Sequence, residues 1–117
     1  MLTDSAIQTV RQRGIAGIDQ AINFFSRYDQ SMQALVTQMQ GQGRPLEGKR
    51  GKDAAYEAAR RVFNAIASQV GTNPLINEIR SRILKNIQTS QGQDYKFILA
   101  YAGSSMTDFL KTARASL

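Results

Sequence analysis

The sequence predicts an all-α bundle of about five helices with one long N-terminal helix. Three observations predict it. Apolar residues recur at steps of three and four along most of the chain, only two prolines occur in 117 residues, and Gly-rich stretches fall where the periodicity lapses. Apolar residues make up 42% of the chain and charged residues 21%, which places it among globular sequences. At this length it forms one domain, residues 1–117, with a modest core.

Residues 4–40 read as one long helix. Ile7, Val10, Gly14, Ile18, Ile22, Phe25, Tyr28, Met32, Leu35 and Met39 form its apolar stripe. Unbroken, it would span about 55 Å at 1.5 Å per residue, so a kink or break is expected near Gly14 and Gly17. Residues 41–52 read as a Gly-rich basic loop. Asp53 caps a helix over 53–70 with the stripe Tyr56, Ala59, Phe63, Ile66 and Val70, and Gly71 ends it. Thr72 and Asn73 offer the next cap, and Pro74 suits a first helical position, where its missing N–H costs nothing. The helix over 74–89 buries Leu75, Ile76, Ile79, Ile83, Leu84 and Ile87. A turn at 90–93 leads to a short helix over 94–102, which Gly103 breaks. Ser105 to Asp108 has capping-box form, and a last helix over 106–115 presents Met106, Phe109, Leu110 and Ala113.

Composition narrows the chemistry. Cysteine and histidine are absent, which removes thiolate metal sites, disulfides and the commonest general bases. The nine acidic residues are scattered, with no pair at a spacing that suggests a shared site, so no enzyme, cofactor or metal is expected. No basic stretch followed by an apolar core opens the chain, and no apolar run approaches the roughly 18 residues of a membrane span. A cytoplasmic protein is the expectation.

Charge is divided unevenly. Residues 1–40 hold Arg11, Arg13 and Arg27 against Asp4, Asp19 and Asp29, which cancel. The whole net charge of +6 therefore lies in the basic body that follows. Such a division suits a protein contact at one end and a polyanion at the other. Arg44, Lys49, Arg50 and Lys52 stand within nine residues among glycines, a composition that lets backbone approach a phosphate. The bland reading is a solvated linker. Arg60 and Arg61 gather with Asn64 and Ser68 on the polar side of 53–70, and Arg82 and Lys85 lie on that of 74–89, with Glu78 four residues before Arg82. Arg80 falls inside the apolar stripe and needs a partner, for which Asp29 is offered. Tyr28 and Tyr56 fit core periodicity, whereas Tyr95 and Tyr101, near Lys96, are the better candidates for stacking on bases. Helices 53–70 and 74–89 have the outline of a helix-turn-helix, but Asn77 and Arg80 stand where its second helix needs apolar residues.

A short, basic, cysteine-free helical chain carrying Thr72-Asn73-Pro74-Leu75-Ile76-Asn77-Glu78-Ile79-Arg80 and then Phe97-Ile98-Leu99-Ala100-Tyr101-Ala102-Gly103 resembles the small subunits of multi-subunit CRISPR effector complexes. The shared pattern is a capped helix carrying an arginine, followed by a helix ending in an apolar-Ala-Tyr-Ala stretch. Ser104 stands where some members have arginine, and the N-terminal helix has no counterpart in the match. The resemblance implies a non-catalytic subunit. It would hold the backbone of target or displaced DNA on a basic face and stack on neighbouring subunits, among them further copies of itself.

Two readings of different class follow. One is a helical nucleic-acid-binding subunit of a ribonucleoprotein, contacting backbone without sequence preference through Arg44, Lys49, Arg50, Lys52, Arg60, Arg61, Arg80, Arg82 and Lys85. The other is a structural or adaptor protein, such as a phage-particle or secretion-apparatus component, that self-assembles through the stripe of residues 4–40 without nucleic acid. A membrane-surface role rests only on Lys111 and Arg114 beside Phe109 and Leu110, too few cations for more than weak attraction.

Overall fold

The computed structural model describes residues 14–43, 48–90 and 95–116, apart from the side chains of 96–98. Among these residues there are four helices and no strand: α1 Gly14–Gly41, α2 Gly48–Val70, α3 Pro74–Thr89 and α4 Tyr95–Ala115. The helix count is four and not about five because 95–115 is one continuous element.

α1 begins at Gly14, whose φ of 75° is left-handed and closes off a straight helical path through that residue. The expected stretch 4–13 lies outside the described residues. Twenty-eight residues give α1 a length of about 42 Å, close to the 44 Å long axis of the molecule. Gly43, at φ 68°, stops it, and the Gly43 N–H donates to the Gln40 carbonyl.

α3 is the most locally determined element. Asn73 adopts extended backbone and its Oδ1 accepts the Ile76 N–H at 2.8 Å, with Pro74 following in the first turn. The same side chain donates to the Gly17 carbonyl at 3.1 Å and to Gln20 Oε1 at 3.0 Å, which ties the α2–α3 turn to α1. Gly71, at φ 79°, makes that turn.

The core lies between α1 and the other three helices. Ile18, Ala21, Phe24, Phe25, Tyr28, Met32, Val36 and Met39 are buried on α1, so the described part of its stripe is spent inside the bundle. Phe63 of α2 meets Phe24 and Phe25 at ring distances of 6.2 Å each, and its ring stacks on Tyr28 at 4.3 Å. The Tyr28 hydroxyl is buried without a hydrogen-bond partner, and burial pushes its pKa well above the usual tyrosine range, with Asp29 adding to the shift.

α4 packs along α1 at Gly103. A Cβ on Gly103 would stand 2.8 Å from Asp29 Cα, so this glycine permits a close backbone approach and does not break the helix. Ser105 is therefore mid-helix and caps nothing. Thr107, buried one turn on, returns its hydroxyl to the Gly103 carbonyl at 2.8 Å. At the far end of α4, Arg114 donates to Asp19 of α1 at 2.6 Å.

Candidate nucleic-acid interface

Of the basic stretch 41–52 expected as a loop, the described residues 48–52 are helical. Lys49, Arg50 and Lys52 occupy the first turns of α2, and Arg44 lies outside the described residues. Two glycines and no acidic residue in the first turn give this start little local helical preference. Gly51 is nonetheless buried, so packing holds the segment helical where its composition reads as loop.

Helical phase then sorts the cations. At about 100° per residue, Lys49, Asp53, Arg60, Asn64, Glu57, Arg50, Ser68 and Arg61 fall in one sector about 120° wide. All are exposed except Glu57, which is half-buried. Lys52 falls instead on the apolar side of the wheel, where it is half-buried.

Part of that charge is already matched. Glu57 accepts from Arg60 Nη2 at 2.7 Å and from Arg61 Nε at 2.9 Å. Hydrogen bonds from Arg60, then Arg61, hold its carboxyl down at a pKa of about 2. Exposed pairs of this kind contribute little to stability, but they reduce the charge left for a partner.

Arg80 is held differently. Its guanidinium donates from Nη2 to Asn64 Oδ1 at 3.0 Å and from Nη1 to Asn77 Oδ1 at 3.3 Å. It also sits over the Phe63 ring, 5.6 Å from the centroid. Partial burial lowers its pKa. The expected Arg80–Asp29 pair is absent: Asp29 accepts from Gln33 at 3.5 Å and backs onto Gly103. The side chain leaves the α3 stripe on the flank facing α2, where Asn64 and the Phe63 face receive it.

Through the Asn64 bond Arg80 joins the α2 sector, which then holds five cations against Asp53 and Glu57. Arg82 and Lys85 do not join it. Two residues on from Arg80, Arg82 points about 200° away and pairs with Glu78 at 3.4 Å; Lys85 points about 140° away.

Two tyrosine expectations divide. Tyr95 is buried and donates to the Ser90 carbonyl at 2.8 Å, so it has no face for a base. Tyr101 is 58% exposed, on the side of α4 opposite Leu110. The Phe97–Gly103 stretch opens α4 and does not end a helix. Sequence reasoning missed Asn64 and Asn77 as partners of Arg80, although the three-residue step from Asn77 to Arg80 carried the second. It also missed the Asp19–Arg114 bridge, whose partners lie ninety-five residues apart.

Chemically, this surface is an array of cationic and amide donors. No helix among the described residues is long and apolar enough to cross a membrane. No protein-family model, curated protein or solved structure matches this chain.

Proposed function

We propose that this chain is a non-catalytic, cytoplasmic nucleic-acid-binding subunit of a larger ribonucleoprotein assembly, engaging the phosphate backbone through the outward flank of α2. The observation that carries it is the gathering of Lys49, Arg50, Arg60 and Arg61 along about 18 Å of α2, joined by Arg80 of α3, with two carboxylates among the described residues of that sector. A donor array of that kind positions phosphates and reads no base edges, so binding is independent of sequence. The sequence resemblance to CRISPR small subunits in the C-terminal half points to an assembly of that type.

The competing reading, self-assembly through the N-terminal stripe, has less support over residues 14–41, where Ile18, Phe25, Tyr28, Met32 and Met39 are buried and Ile22 and Leu35 partly buried in the chain's own core.

Gel shifts with duplex DNA, single-stranded DNA and RNA at two salt concentrations test the proposal. Affinity should fall with salt at a slope of about 0.9 per phosphate contacted on duplex, and Lys49→Glu with Arg50→Glu should weaken every sequence alike. Absence of binding, salt-independent binding, or loss confined to one sequence overturns it.

A further inference from the structure

We propose that Arg80, Asn64 and Asn77 form a receptor for a phosphate oxyanion that presents guanidinium and amide donors outward. It deepens the reading above and rests on it for the source of the phosphate, a nucleic-acid backbone.

The inference comes from how the hydrogen bonds are allotted. A guanidinium carries five N–H donors, and Arg80 gives one to each asparagine. Each asparagine presents its carbonyl oxygen to Arg80, so each amide NH2 points away from it. Neither amide donates to a protein atom among the described residues, and both asparagines are exposed. The cluster thus offers the remaining guanidinium donors and two amide groups, while each side-chain oxygen already accepts one bond from Arg80.

Charge points the same way. The nearby carboxylates are engaged elsewhere, Glu57 with Arg60 and Arg61 and Glu78 with Arg82. Arg80 therefore keeps its full positive charge while its position is fixed by two neutral acceptors and the Phe63 ring. An orienting set without a neutralising group suits a ligand that supplies both the negative charge and the acceptors. A tetrahedral phosphate with several oxygens does so and meets the planar fork in a bidentate manner.

The test replaces both asparagines by their isosteric acids. Asn64→Asp with Asn77→Asp keeps the shape and gives Arg80 two carboxylates, so thermal stability should hold or rise. Affinity for a 20-base-pair duplex should fall on the order of tenfold, with a shallower salt slope. Arg80→Lys, which keeps the charge but loses the fork, should weaken binding as well. In parallel, NMR follows the Arg80 Nε–H and the two side-chain amides during titration with the duplex, with inorganic phosphate and with vesicles containing phosphatidic acid. Weakened duplex binding by the double variant, with those wild-type signals shifting on duplex addition, supports the receptor. Duplex binding unchanged in the double variant but lost in Lys49→Glu/Arg50→Glu overturns the receptor and leaves the proposed function standing. A wild type that ignores duplex while the signals move with phosphate or vesicles overturns the proposed function and keeps the receptor. Signals that move with none of the three overturn both.

Discussion

The α1–α4 seam and the α2–α3 flank solve opposite problems with the same backbone. At the seam, Gly103 removes a side chain so that α4 comes against the backbone of Asp29. On the flank, Arg80, Asn64 and Asn77 add long polar side chains that bridge two helices at their solvent edge. The seam is governed by volume, which tolerates little change, and the flank by hydrogen bonding and charge, which tolerate substitution but redirect what can bind. Substitutions in the first should move stability with little specific effect on polyanion affinity. Those on the second should move affinity and leave the melting temperature nearly alone.

The largest expected effect is at the seam. Gly103→Ala improves helical propensity by up to about 1 kcal/mol but drives a methyl into Asp29, and a net loss of about 2–3 kcal/mol is expected in urea unfolding. An unchanged midpoint would break the contrast between the two regions. Asn73→Ala comes next. It removes a cap and the ties to Gly17 and Gln20, for a loss of about 2 kcal/mol in the same assay.

Tyr28→Phe should act in the other direction, by about 1 kcal/mol, because it deletes a buried hydroxyl that has no partner. It also carries a pH signature. The unfolded chain ionises this tyrosine from about pH 10, while the folded chain, with its pKa raised, keeps the proton. The unfolded state then binds fewer protons, so this contribution to stability is complete below pH 10 and is lost as pH rises further. Urea midpoints at pH 8 and 10.5 should fall less in the variant than in the wild type.

The smallest effect sharpens the flank. Glu57→Gln removes the carboxylate shared by Arg60 and Arg61 and should raise duplex affinity severalfold, with a steeper salt slope. Glu57 has a depressed pKa, so its pairing is intact above about pH 4.5 and lost as pH falls through about 2. Wild-type affinity at pH 7 should therefore lie below that of the variant.

Legibility followed the range of the physics. α3 could be read to the residue because Asn73 and Pro74 act within one turn. The start of α2 could not, since Gly48 and Gly51 among cations have the composition of a loop and only a packed neighbour makes them helical. Gly103 shows the same ambiguity: a helix breaker and a close-packing glycine look alike until Asp29 is placed opposite. The position of Arg80 inside an apolar stripe announced a partner, but the helical wheel of α3 carries no record of which helix faces it. Arg60, Arg61, Asn64 and Ser68 were legible as one face of α2, whereas Lys49 and Arg50 read as loop. Its union with Arg80, and the exclusion of Arg82 and Lys85, depended on how α3 is rotated against α2.

The seam also bears on synthesis. While the chain is being made, the oily side of residues 18–39 waits for a cover that is translated more than fifty residues later. At about 5–20 residues per second, Phe24, Phe25 and Met32 stay uncovered by α4 for several seconds on the ribosome. A nascent chain stalled before residue 95 should therefore recruit holdase chaperones, and the released 117-residue chain should not.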